Sequence, residues 1–239
     1  METVTADEVL GFWFAPGMSR RWFRSTAALD QAIRNRFEPT WRHAAAGGLD
    51  AWCDSAQGAL ALVIVLDQFP LNMFRGLARA FATEQKAVAV TLAALERGYD
   101  QQLPRERLAF LYMPLMHSEQ LAHQDRSVSL FEAAGLEDNA RFARHHRELI
   151  RRFGRFPHRN AILGRQDTAE ETAYLASEES FRGEPRARRV PRQPPRCRCG
   201  RSCRARRSDQ AECIDLRVGQ GVVEQAEVFD LAVEVVVAP

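Results

Sequence analysis

Three side chains stand close to where apolar runs give way to polar residues, and each can move a proton: Asp67, His117 and Glu119. Asp67 opens the block Asp67-Gln68-Phe69-Pro70-Leu71-Asn72-Met73-Phe74-Arg75-Gly76, which follows the apolar stretch 60–66. An acid, two amides and an arginine beside a buried helix predict either an ion pair that locks a chain reversal or a ligand site at the helix end. At a helix C-terminus the Asp67 carboxylate meets the unfavourable end of the macrodipole. Arg75 or Arg79 can compensate it as a forked partner. His117-Ser118-Glu119 follows Met113-Pro114. Glu119 and His123 lie four residues apart, on one helix face, a spacing that suits acid–base work or part of a metal site. Zinc needs three or four ligands, so no metal and no cofactor is expected. His117 can equally cap the next helix.

A second block, residues 152–165, crowds Arg152, Arg155, His158, Arg159 and Arg165 around Asn160 and repeats the Phe-Pro pair at Phe156-Pro157. Guanidinium forks at such a place grip phosphate or carboxylate. Alternatively these bases complement a helix C-terminus and pair with Asp67, Glu119 or Glu171. Two Phe-Pro blocks predict two interrupted helices whose charged ends meet at one polar patch. A glycine-rich phosphate loop, a G-x-S-x-G elbow and a Cys/His protease pattern are all absent from the sequence.

The elements that must position these residues read as helices throughout. Thr5-Ala6-Asp7-Glu8 has the form of a capping box ahead of residues 9–14. Leu29, Ile33 and Phe37 recur at helical spacing, with Pro39 ending that helix or starting the next. Gly47-Gly48 stops a helix, and Asp54 or Ser55 caps the one that contains the 60–66 run. Further helices are predicted from about Thr83 to Gly98, from Pro104 with an interruption at Met113-Pro114, from His117 or Ser118 to Gly135, and from Asp138 to Gly154. Thr168-Ala169-Glu170-Glu171 is a second capping box, opening a last helix to about Ser180. Trp13, Phe14, Trp22 and Phe23 are expected in the core. No stretch of residues 1–182 alternates convincingly at period two. The expectation is an all-α domain of about eight helices over residues 1–182.

Charge divides the chain. The net charge of +2 is the sum of 22 − 23 = −1 over residues 1–182, 10 − 1 = +9 over 183–207 and 1 − 7 = −6 over 208–239. Lys86 is the single lysine, a bias that points to a GC-rich coding sequence. Residues 183–239 read as an Arg/Pro-rich extension that cannot bury enough apolar surface to fold alone, disordered or out of frame. Its cysteines, Cys197, Cys199, Cys203 and Cys213, match no zinc module. It lacks aromatics among its arginines, so nucleic acid is not an expected partner. The longest apolar run, residues 60–66, is short of the roughly 20 residues of a membrane span. With Cys53 alone in the first 182 residues, the expected setting is the cytoplasm.

The blocks Leu66-Asp67-Gln68-Phe69-Pro70, Arg79-Ala80-Phe81-Ala82-Thr83, Pro114-Leu115-Met116-His117-Ser118-Glu119 and Phe153-Gly154-Arg155-Phe156-Pro157-His158-Arg159-Asn160, with Leu163-Gly164-Arg165, resemble the bacterial DUF924 family in order and spacing. The resemblance runs from Val9 to about Leu175. It implies an all-α, TPR-like array of antiparallel helices and no established activity. Leu71 departs from the basic residue the family's block carries there. Two functions follow as expectations. One is a binding or scaffolding module whose groove holds a peptide or small anionic ligand through Asn72, Arg75, Arg155, His158, Arg159, Asn160 and Arg165. The other is a small hydrolase or transferase with His117, Glu119 or Asp67 as acid–base groups.

Overall fold

A computed structural model of the chain describes residues 3–177 and residue 180. The expected extension over 183–239 lies outside the described residues. Among those described there is no strand, and eight helices carry the fold: α1 (Ala6–Trp13), α2 (Ala27–Ala45), α3 (Ala56–Met73), α4 (Glu84–Glu96), α5 (Arg105–His117), α6 (Leu121–Ala133), α7 (Glu137–Phe153) and α8 (Ala169–Ala176). Short 3₁₀ turns fill most of the links.

The sequence of α3 is apolar on every side, and a helix of that kind must be enclosed. Leu60, Leu62, Ile64, Leu66 and Phe69 are all buried to 1% exposure or less. By length and composition α3 can cross a membrane, yet 89% of it is buried inside the domain. It is packed by α1, α2, α4 and α5. Phe69 stacks on Phe37 of α2 at 4.4 Å and meets Trp13 of α1 edge-on at 5.6 Å. From α4 to α7 each helix packs on the next. Arg144–Glu132 and Arg147–Asp125 pair in descending register across α6 and α7, which fixes them as an antiparallel hairpin. Neighbour-on-neighbour stacking thus describes the second half of the domain, whereas the first half is wrapped around α3.

Prolines do not break these helices. Pro39 lies inside α2, Pro114 inside α5 and Pro70 inside α3. The interruption expected after Leu66 is a π-helical turn, Ile64–Gln68, through which α3 continues to Met73. There the Phe69 N–H reaches the Ile64 carbonyl five residues back. Pro70 has no N–H for the carbonyl four residues before it, that of Leu66. Thr83, at the head of α4, makes good the loss: its hydroxyl donates to the Leu66 carbonyl at 2.5 Å and accepts from the Trp41 indole N–H at 3.0 Å. Thr91 of α4 likewise donates across to α5, to the Leu111 carbonyl at 3.0 Å, one residue beyond the Phe110 carbonyl that Pro114 leaves without an N–H.

Thr83→Val keeps the shape of the side chain and strands both partners inside the core. Loss of two buried hydrogen bonds of this kind is expected to destabilise the domain by roughly 2–4 kcal/mol. Urea unfolding of Thr83→Val and Thr83→Ser beside the wild type checks this, the serine recovering most of the loss.

Candidate functional site

Asp67 lies within the π turn of α3, not at a helix end. A carboxylate there, 5% exposed, requires a partner. Neither Arg75 nor Arg79 supplies it. The partner is His117, the last residue of α5, whose Nδ1 lies 2.9 Å from Asp67 Oδ1 and 3.1 Å from Oδ2. The Gln68 amide donates to Asp67 Oδ2 at 2.6 Å and also reaches the Met113 sulfur at 3.5 Å. Two acceptor oxygens on Nδ1 require a proton there, so in the neutral form of the ring the lone pair is on Nε2. All hydrogen bonds of the His117 ring among the described residues run through Nδ1.

Arg159 ties this pair to the 154–168 segment. It donates to the His117 carbonyl at 2.9 Å and to Glu84 of α4 at 2.8 Å. Its guanidinium lies between the Phe81 and Phe156 rings, 4.5 and 4.6 Å from their centroids. Burial pushes the Glu84 carboxyl above its ordinary value and nearby Asp67 adds to the rise, against the pull of Arg159 and His117. Glu119 accepts both ends of the Arg165 fork, at 2.6 and 2.9 Å, and the Phe156 N–H at 2.8 Å. Burial works to raise the Glu119 carboxyl, but Arg165 and the Phe156 N–H hold it below its usual value. Farther out, Arg155 forks onto Glu171 at 2.7 and 2.8 Å, and Glu171 also closes the capping box on Thr168. That fork holds the Glu171 carboxyl down at about 2. Asn160 donates to Asp167 at 2.7 Å. Glycine is needed at residue 154, φ 70°, where the chain leaves α7 and turns into this segment.

The two Phe-Pro blocks therefore meet, at a closed salt-bridge network. It gathers Asp67, His117, Glu119, Arg159 and Arg165, with Arg155, His158 and Asn160 on the same segment. Asn72 and Arg75 go elsewhere: they bind Asp30 of α2 at 2.8 and 2.9 Å, with Ser25 on the same carboxylate at 2.6 Å. Glu119 and His123 do not share a ligand position, since His123 Nδ1 pairs with the Ser118 hydroxyl at 2.9 Å. Among the described residues no three His, Cys, Asp or Glu side chains cluster to hold a metal. The arginines expected to grip an anion are neutralised in place by Glu84, Glu119 and Glu171.

Sequence reasoning did not name Glu84, and it placed His145-His146 in solvent, whereas His146 is buried. The signal for Glu84 was its position directly after Thr83. His146 Nδ1 donates to the Phe142 carbonyl, 2.8 Å away, and the ring packs edge-on against Phe156 at 5.3 Å. Burial lowers its ring to about 3, and burial also drives His158 well below the ordinary histidine value, with Arg159 adding to the effect. Within the 158–165 segment His158 Nδ1, Arg159 Nε, Asn160 Oδ1 and Arg165 Nε are buried without a hydrogen-bond partner among the described residues, so the segment has bonding capacity to spare.

An all-α domain built on one enclosed helix, with a buried Asp–His pair held under an arginine-clamped segment, defines the class of protein. Residues 9–179 match the family described as bacterial protein of unknown function, DUF924, and the chain belongs to it. A solved structure of a protein of unknown function from Agrobacterium tumefaciens is 40% identical, with a TM-score of 0.68 over 72% of this chain and 96% of that one. No protein of curated function matches.

Two acid limbs follow from these groups. His146 is depressed when folded, so the unfolded chain binds the extra proton first; stability is lost as pH falls from about 6.5 toward 3. Glu171 is likewise depressed, so its contribution is present above about 4.5 and lost as pH falls toward 2. Urea midpoints measured against pH are expected to fall from 6.5 downward in the wild type. His146→Phe flattens the upper part of that decline and Glu171→Gln the lower part.

Proposed function

We propose that the domain is a hydrolase or transferase that works by general acid–base catalysis, with His117 as the proton carrier and Asp67 as its positioning residue. The observation that carries this reading is the bidentate approach of Asp67 to His117 Nδ1, which leaves Nε2 unengaged. In the reaction, Nε2 takes the proton from a water or hydroxyl oxygen as that oxygen bonds to the electrophilic centre. The imidazolium then returns the proton to the leaving group as its bond breaks, and the enzyme regains its starting charge. Asp67 stabilises the imidazolium while it lasts and fixes the tautomer. The Gln68 amide donates to Asp67 Oδ2 and helps hold the carboxylate in place. Arg159 acts at one remove, pinning the His117 backbone. His117 keeps 8% of its side-chain surface exposed, twice the share of Asp67.

This reading replaces an anion grip at the same place, because each arginine there already has a carboxylate. The test is a panel of chromogenic ester, phosphomonoester and amide substrates, run on wild type, His117→Gln and Asp67→Asn after circular dichroism confirms folding. His117→Gln is expected to lower turnover by about 10²–10⁴, and Asp67→Asn by up to roughly 10⁴ through the wrong tautomer. Nitrogen-15 NMR of the wild type is expected to find the His117 proton on Nδ1. Turnover indifferent to both substitutions, or a proton on Nε2, overturns the reading.

A further inference from the structure

A depression of about 730 Å³ lies on the outer face of α2, lined by Arg34, Asn35, Glu38, Pro39, Arg42 and His43. We infer that it is a binding site for a small polyanion, a phosphate ester or a polycarboxylate. Its size falls within the roughly 300–1,000 Å³ of small-molecule sites. Three guanidiniums converge there on one carboxylate: Glu38 receives Arg34 Nε at 3.0 Å, Arg42 Nη2 at 2.7 Å and Arg79 Nη2 at 3.3 Å. Three positive charges against one leave +2 at a single point, where the ordinary ladder on a helix face matches charges one for one. The surplus faces outward, since the Glu38 side chain is 14% exposed while those of Arg34, Arg42 and Arg79 are 45%, 64% and 36% exposed.

The cluster is also fixed before any ligand arrives. Arg79 comes from a different element, the Ala78–Phe81 turn, and its guanidinium lies 4.7 Å from the Trp41 ring and 4.3 Å from that of Phe74. Arg34 lies over the same Phe74 at 5.7 Å. Side chains already ordered lose less entropy on binding. Pro39, inside α2, gives no N–H to the carbonyl of Asn35, four residues earlier and also lining the depression. Val4, whose N–H is bonded to the Thr40 hydroxyl at 3.2 Å, anchors the chain's first described residues beside this rim. Glu38 is the group an incoming anion has to displace. Burial acts to raise its carboxyl, but Arg34 and Arg42 hold it below its ordinary value.

Isothermal titration calorimetry of the full chain with inorganic pyrophosphate and with citrate, at constant low ionic strength, tests the site. Saturable binding at one site per chain is expected, weakened about tenfold or more by Arg34→Ala or Arg42→Ala and strengthened by Glu38→Gln. The preferred probe assigns the site to phosphate esters or to polycarboxylates. Arg20→Ala/Arg21→Ala, which removes the same kind of charge from another surface, is expected to bind as the wild type does. His117→Gln is expected to do likewise, so this site stands or falls apart from the acid–base reading. Absence of saturation up to millimolar probe, or an equal loss in the Arg20/Arg21 variant, overturns the inference.

Discussion

A carboxylate lies in the most enclosed helix of the domain, and much of the remaining architecture answers that fact. Asp67 follows Leu66 and precedes Phe69, both essentially without exposure. An isolated charge there costs on the order of several kcal/mol unless it is paired and hydrogen-bonded. The π turn at Ile64–Gln68 sets Asp67 and Gln68 side by side against α5, so that the amide and the His117 ring both reach the carboxylate. π turns of this kind recur at functional positions because they shift a side chain off the regular helical track. His117 then needs its own anchor, which Arg159 provides through the backbone carbonyl, and Arg159 needs a counter-charge, which Glu84 provides from α4. One buried charge thus recruits three helices and the segment after α7.

The prolines and the threonines of α4 belong to the same arrangement. Proline inside a helix frees a carbonyl, and a freed carbonyl in an apolar core must find a donor. Thr83 and Thr91 are both on or beside α4, and each donates across to a proline-containing neighbour. α4 is therefore more than a packing partner. It supplies the Thr83 hydroxyl that takes up the carbonyl Pro70 frees in α3, and it also supplies Glu84 at the charged end. The same helix that tolerates the irregular backbone balances the charges the irregularity positions.

The all-helical class was legible because helical spacing, caps and stop glycines agree over the whole of residues 5–176, as at Thr5–Glu8 and Thr168–Glu171. The meeting of the two Phe-Pro blocks was legible as well, from their repeated chemistry. What misled was the proline rule applied locally. Pro39, Pro70 and Pro114 each read as a break, yet each sits inside a helix, Pro70 behind a π turn and with its freed carbonyl bonded by Thr83. The partner of Asp67 was misread for the same reason: a residue expected at a helix end invites an arginine nearby in sequence. In the interior of α3 the partner comes from 50 residues away. Arg75 instead reaches back 45 residues to Asp30, a pairing that no spacing in the sequence announces.

Arginine accounts for all but one of the 33 basic residues of the chain, and the network depends on properties lysine lacks. Arg159 uses four faces at once: one nitrogen on the His117 carbonyl, another on Glu84, and two aromatic rings against its plane. A lysine ammonium can satisfy either polar partner but not both at these separations with both rings stacked, because its donors radiate from one atom. Arg155 and Arg165 are forked onto carboxylates in the same way. Each fork also touches a main-chain carbonyl, Gln166 or Phe156. Residues 154–168 have little regular secondary structure to hold them. They are shaped by arginines that read the backbone and the acids together, so the position of the segment over His117 is set by side-chain forks in place of a helical ladder.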